Sequence, residues 1–324
     1  MDSSSDVAIE AKSTKHLPTR GGGGDLTFRW LTLVMALSVV VLILLIGFEL
    51  AHGSRLALRK FGWHFLVSSD WDPVNEQFGA LPLIFGTLVS SLIALLIAVP
   101  LSLATAIYLT ELAPYWPGQM LRLFIELLAA VPSVILGLWG IFVMVPWLRD
   151  HLFPWLRRVL GFLPLFQGPI YGVSMLAGGI ILAIMIIPII TSISREILLA
   201  VPGSQREAAY ALGATRWEVT RIAVLTFAKR GLFGAVILGL GRALGETMAV
   251  LMVIGNSHEI AVSLFAPGST LACVVANEFT EAVTDVYRHA LFEVGLVLLG
   301  VTILVNALAQ LLLKTFTAAP SRQP

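Results

Sequence analysis

Arg242 and Glu246 stand four positions apart inside an otherwise apolar stretch, 231–254. At the middle of a bilayer-spanning helix each costs about 2.5–3.5 kcal/mol on insertion scales, so a chain that keeps both is expected to use them. The i, i+4 spacing puts the two side chains on one helix face, where they can pair. A guanidinium offers a planar, permanently charged fork that matches the oxygens of phosphate. A carboxylate beside it tempers the attraction, so that an anion is held weakly enough to leave again, as a conduit requires. The competing role for the pair is structural, an ion pair that holds two subunits together. Gly239, Gly241 and Gly245 lie on adjacent faces, and the spacing of Gly241 and Gly245 predicts close approach of another helix. At about 1.5 Å of rise per residue, Arg242 falls about 16 Å into a hydrocarbon layer about 30 Å thick.

The rest of the chain has the composition needed to build such a layer. Hydrophobic residues make up 57% of the 324 residues and charged ones 13%, where a soluble domain carries about 25%. With 21 Lys+Arg against 20 Asp+Glu, the net charge gives no reason to propose nucleic acid as a partner. The single cysteine, Cys273, excludes an intrachain disulfide, and the six histidines show no metal-ligating spacing. No cofactor is expected on this chain.

Six segments are long and apolar enough to span a bilayer: 30–48, 83–109, 123–145, 171–190, 231–254 and 291–313. Residues 1–29, polar and rich in Ser and Gly, read as a disordered cytosolic tail; 30–315 read as the transmembrane domain and 316–324 as a second cytosolic tail. Pro100, Pro132 and Pro188 fall in or near spans, where they shape the bundle by kinking helices. An even number of spans puts both termini on one side. With the N-terminus inside, thirteen Lys and Arg fall in inner segments and seven in outer ones, so the positive-inside rule selects an N-in, C-in, all-α membrane protein. The outer stretch 146–168, with three arginines, Trp147, Trp155 and several prolines, reads as an interfacial segment.

Between the fourth and fifth spans lies an inner loop, 191–230. Ser204 with Glu207, and Thr215 with Glu218, each fit the S/T-x-x-E capping box. Gly213 follows Leu212 where a left-handed residue would end the first helix. A helix from about Gln205, a bend at Gly213 and a second helix from about Arg216 are therefore predicted. The apolar residues Ala208, Ala209, Leu212, Trp217 and Val219 would offer a small ridge to a partner's groove. Glu126 and Glu293, near span ends, are placed to snorkel to the headgroups, and 269–282 is apolar enough for a short helix folding back toward the bundle.

Catalytic signatures are missing. No G-x-x-x-x-G-K-[ST] is present, and the run Gly21 to Gly24 lacks the lysine and hydroxyl that a phosphate cradle requires. The chain is not expected to hydrolyse ATP, so transport energy must come from a partner or an ion gradient.

The stretch EAAYALGATRWEVTRIAVL, beginning at Glu207, resembles the EAA loop of ABC importer permeases, with Glu207, Ala208, Ala209 and Gly213 in register. GLGRALGETMAVLMVIGN, from Gly239, is similar to the phosphate-importer permeases of the PstC type, as are FGALPLIFGTLVSSLIALLIAVP, VPSVILGLWG and ANEFTEA. The resemblance runs from about Phe78 through the last span. Thr226 stands where the family loop commonly has proline, so the second loop helix is expected to run on toward Lys229. The resemblance implies a six-span permease bundle in a bacterial inner membrane, paired as a heterodimer with a related permease. It also implies two cytosolic ATPase subunits carrying ATP and Mg, and a phosphate-binding protein outside. Glu207, Ala208, Ala209 and Gly213 would then dock on an ATPase, and Arg242 with Glu246 would line the solute path. Sulfate or another oxyanion would suit the arginine too. A proton-driven secondary transporter using Glu246 is the reading from another class; broken midplane helices and inverted repeats would favour it, and no internal repeat is visible.

Overall fold

The computed structural model describes residues 23–317. Two units are distinguished, one ending at Phe48 and the other beginning at Glu49. The first is most of an apolar helix, α1 (Gly23–Gly53). The elements that follow are, in order, α2 (Arg55–Phe61), α3 (His64–Val67), the hairpin β1 (Trp71–Asp72) and β2 (Gln77–Phe78), α4 (Leu81–Ile107), α5 (Tyr115–Ala130), α6 (Ser133–Trp139), α7 (Val145–Trp147), α8 (Phe153–Leu160), α9 (Met175–Leu199), α10 (Gly203–Ala211), α11 (Arg216–Glu218), α12 (Leu225–Leu244), α13 (Met248–Ile254), α14 (Leu271–Glu278) and α15 (Asp285–Thr317). Wide π-type turns at Gly140–Met144 and Leu148–Leu152 join α6, α7 and α8 into one run, and another at Val219–Val224 joins α11 to α12.

Six of the described helical runs are long and apolar enough to cross a membrane: Leu26–Gly53, Leu81–Leu112, Ser133–Leu160, Met175–Leu199, Arg216–Leu244 and Asp285–Lys314. The most extensive pairing is between α4 and α9. The two helices approach closely at Gly179 of α9, where a side chain would collide with Ile93 of α4, and Ser102 of α4 donates to the Ile187 carbonyl of α9 at 3.2 Å. Lipid offers an apolar side chain as much as another helix does, so close fit rather than buried area holds such a pair. At one end of this pair lie the β-hairpin and α14; at the other lie α10 and α11.

Several boundaries differ from those expected. The third span is not 123–145: Pro132 caps a new helix after the chain turns extended at Val131, so α5 stands apart and the long run begins at Ser133. That run continues to Leu160, so most of 146–168 is helix. The fifth span is not one helix through 231–254, because α12 stops at Leu244 and α13 starts at Met248. Helix α1 begins at Gly23, ahead of the expected boundary at residue 30; the tail segments 1–22 and 318–324 lie outside the described residues. Glu293 does not snorkel. It is 3% exposed, and its Oε2 has no hydrogen-bond partner. Glu126 is exposed and pairs with Arg122 at 2.6 Å.

Candidate solute path and coupling hairpin

Gly245, Glu246 and Thr247 interrupt the helix at the depth that the sequence assigns to Arg242. Thr247, with φ −116° and ψ −63°, caps a new helix, and α13 sets off against α6 and α9. Irregular backbone at membrane depth survives only where protein covers it or where it lines a polar cavity. The interruption is partly covered: the Thr247 carbonyl accepts from the Cys273 thiol of α14 at 3.6 Å. Arg242 and Glu246 do meet, with Nη2 3.3 Å from Oε2, but across the end of α12 rather than along one continuous helix face. Their surroundings differ. The Glu246 side chain is 7% exposed and the Arg242 side chain 52%. The arginine therefore compensates a buried carboxylate on one side, while the rest of its guanidinium stands open. What the geometry provides is a guanidinium anchored from below by a buried carboxylate, with its other donors free to meet an anion or another chain.

The glycines also sort differently from the expected pattern. A side chain at Gly239 would fall 2.6 Å from Ile190 Cγ1, so this is where α12 and α9 approach closely. Nothing lies nearer than 3.9 Å to such a position at Gly241 or Gly245.

The loop between α9 and α12 is a helical hairpin. Gly213 has φ +82°, which ends α10 as expected and carries the chain round to α11. The Thr215 box is complete: its hydroxyl accepts from the Glu218 amide at 3.5 Å, and Glu218 Oε2 accepts from the Thr215 amide at 2.8 Å. The Ser204 box does not form. Pro202 occupies the cap position and α10 starts at Gly203, because proline fixes the extended turn leaving α9. The second arm runs through Lys229 into α12, as Thr226 in place of proline led one to expect. Glu207, Ala208 and Gly213 are exposed and Ala209 is half-buried. Of the predicted ridge, Leu212 is 90% and Trp217 64% exposed, whereas Val219 is 1% exposed and faces inward.

Two arrangements here were not foreseen. Arg206, on α10, donates from Nη1 to the Val201 carbonyl at 2.6 Å and from Nη2 to the Leu198 carbonyl at 2.9 Å and to Glu111 Oε1 at 3.0 Å. A basic residue just beyond a helix C-terminus is the signal that could have suggested the carbonyl caps; nothing in the sequence pointed to Glu111. At the opposite end, Glu278 of α14 accepts from Trp71 Nε1 at 2.9 Å and from the Tyr287 hydroxyl at 2.5 Å. His258 Nε2 stands 2.9 Å from its other oxygen, within ion-pair range though off the hydrogen-bonding direction, while the His258 ring stacks on Trp71. Burial alone would push the Glu278 carboxyl up, yet His258, Tyr287 and Trp71 together hold it below the ordinary glutamate range. Trp71 comes from a segment 207 positions away in the chain, Tyr287 from only nine.

Six apolar helical runs with a helical hairpin between the fourth and fifth define a polytopic membrane protein, and comparison with known proteins supplies its family. Residues 98–317 match the family described as binding-protein-dependent transport system inner membrane component. The chain belongs to that family. It is 46% identical over 298 residues, 91% of each chain, to the phosphate transport system permease protein PstC of Mesorhizobium japonicum. The protein of the same name from Haemophilus influenzae is 46% identical over 290 residues, 88% of this chain and 92% of that one. A probable phosphate transport system permease from Methanocaldococcus jannaschii is 36% identical over 294 residues, covering 89% and 93%. Among solved structures, a chain of a bacterial alginate ABC transporter in complex with a periplasmic protein covers 92% of this chain and 99% of its own, with TM-score 0.60 and 15% identity. A chain of the MetNI methionine ABC transporter gives TM-score 0.50 and 19% identity over 74% of this chain and 94% of its own. At such identities the likeness shows the fold: an all-α, six-span ABC-type permease bundle.

Proposed function

We propose that this chain is the permease subunit of an ATP-driven importer that moves inorganic phosphate from an extracytoplasmic binding protein into the cytoplasm. The observation that carries this reading is the half-exposed Arg242 anchored by buried Glu246 at a helix break, in a chain 46% identical to proteins named as phosphate permeases. The arginine fork supplies a phosphate-matched contact, and Glu246 keeps that contact weak. With both termini inside, the hairpin that includes Glu207, Ala208, Ala209 and Gly213 faces the cytosol. There its exposed Leu212 and Trp217 suit the groove of an ATPase subunit. Two such subunits, holding ATP and Mg, would close on nucleotide and push the hairpins as levers. A related second permease would complete the path as a heterodimer, and Arg242 would alternate between access from outside and from inside.

The break at 245–247 is also what a proton-driven secondary transporter would show, but that mechanism gives the exposed hairpin no task. The test is phosphate uptake by vesicles containing the assembled complex, normalised to the amount assembled. Arg242→Lys keeps the charge and loses the fork, so uptake is expected to fall about tenfold, and further for Arg242→Gln. A structural pair would behave differently: Arg242→Gln strands a buried carboxylate, and adding Glu246→Gln relieves it. Parental uptake by the double variant would make Arg242 a structural partner. Uptake driven by a proton gradient without ATP would favour the secondary transporter.

A further inference from the structure

The two arms of the hairpin are rooted in different ways. Its second arm is continuous with a membrane span, since Arg216–Leu244 is one helical run. The first arm has no such continuity. Between α9, which ends at Leu199, and α10, which begins at Gly203, the chain passes through a turn in which Pro202 is extended, with φ −56° and ψ 137°. Proline fixes only its own φ, so the remaining dihedrals of the turn are a hinge unless something else holds them. The turn's own backbone hydrogen bonds are short-range: Ala200 N donates to the Glu196 carbonyl at 3.0 Å, Val201 N to the Leu198 carbonyl at 3.3 Å and Gln205 N to the Pro202 carbonyl at 3.1 Å, and none of the three joins α9 to α10 across Pro202, which has no amide to donate.

Arg206 crosses this hinge. Its contacts to the Leu198 and Val201 carbonyls tie α10 to the C-terminal end of α9, where a cation also meets the negative end of the helix dipole. Its contact with Glu111 ties the same point to the end of the run Leu81–Leu112, which begins at the opposite end of the bundle. The pair is sheltered, with the Arg206 side chain 23% and the Glu111 side chain 13% exposed. Beneath it Leu198 and Val201 pack with Ala106, Val224, Ala228 and Leu232 in a buried cluster. Lysine could not replace these contacts, because one ammonium group does not hold the fork geometry that serves two carbonyls and a carboxylate at once.

We propose that Arg206 is a positioning residue for coupling: it replaces helical continuity across the turn, so that a push on the hairpin reaches α4 and α9 instead of being absorbed at 200–202. This rests on the reading of the chain as an ATP-driven permease. The deciding experiment uses the intact transporter in vesicles, measuring inorganic phosphate taken up and ATP hydrolysed in the same sample. Hydrogen exchange along the loop is followed in parallel on the purified complex. In Arg206→Gln, phosphate moved per ATP is expected to fall about tenfold while hydrolysis stays within about twofold of the parent. Amides of Gly203–Ala211 should exchange faster and those of Leu225–Leu244 should not. Arg206→Lys should fall between parent and Arg206→Gln. Glu111→Gln, which spares the carbonyl contacts, should show the smallest loss. Uptake and hydrolysis falling in proportion would make Arg206 merely structural and overturn the proposal, as would unchanged exchange, or faster exchange with an unchanged ratio. If Arg206→Gln fails to assemble, Arg206→Lys and Glu111→Gln carry the same readouts. A parental complex that takes up no phosphate would refute the proposed function, and the exchange contrast would then still decide whether Arg206 closes the hinge.

Discussion

The two ends of the α4–α9 pair treat their polar and apolar groups in opposite ways. At the β-hairpin end, Glu278 gathers Trp71, Tyr287 and His258 around one buried carboxylate, and Phe78 stacks on Tyr287 with ring centroids 5.1 Å apart. At the coupling hairpin the polar anchoring is confined to the root, while the tip holds Leu212 and Trp217 in the open. The first end is tied together by this polar network, with Val74 and Val283 left exposed at its margin. The second keeps its shape with little burial, because a short helix held by a capping box and a left-handed glycine is fixed locally, and under the proposed function its exposed apolar groups would meet the ATPase.

This contrast predicts that stability is concentrated at the first end and function at the second. The largest effect on stability is expected from Glu278→Ala, which strips the acceptor from the half-buried Trp71 and buried Tyr287 donors at a cost of about 3 kcal/mol; hydrogen exchange of 71–78 and 271–278 should accelerate strongly. The same carboxylate sets an acid dependence. Because its folded-state pKa is lowered, its contribution is present above the ordinary glutamate range and is lost as pH falls through the lowered value. Acidification from about pH 7 to about pH 3 should therefore loosen this end in the parent more than in Glu278→Gln.

A smaller cost is expected from Gly213→Val. Forcing a branched side chain into the left-handed position costs about 1–2 kcal/mol, confined to the hairpin, since nothing lies within 4 Å of a side chain built there. Insertion should proceed normally while uptake drops, because the arm carrying Glu207 and Ala208 is misdirected; parental uptake would break the comparison. Smallest in stability is Leu212→Ser, within about 0.5 kcal/mol for so exposed a site. Capture of the cognate ATPase by the solubilised chain should nevertheless weaken. An unchanged capture would move the docking surface away from the tip.

Much of the coupling hairpin was legible because its determinants are local. Gly213, the Thr215–Glu218 box and the missing proline at Thr226 act within a few residues, and each led to the observed backbone. Ser204 misled for an equally local reason, since Pro202 upstream took the cap position. The third and fifth spans were drawn as single helices because hydropathy sums over a window and does not register a break that preserves apolar character, as at Val131–Pro132. At 245–247 the same blindness placed Arg242 and Glu246 on one helix when the structure has the pair meeting across a helix end.

The sequence alone determined that the chain spans a membrane with six apolar runs, that a capped hairpin separates the fourth and fifth, and that Arg242 has a carboxylate within reach, because composition, periodicity and i, i+4 spacing are properties of neighbours in the chain. Tertiary structure alone decided which member of that pair is buried, that Val219 turns inward, that Glu293 is enclosed, and that Arg206 finds Glu111 and Glu278 finds Trp71. Those outcomes depend on packing between segments as much as 207 positions apart, and no local pattern specifies which distant backbone or side chain will arrive to accept the bond.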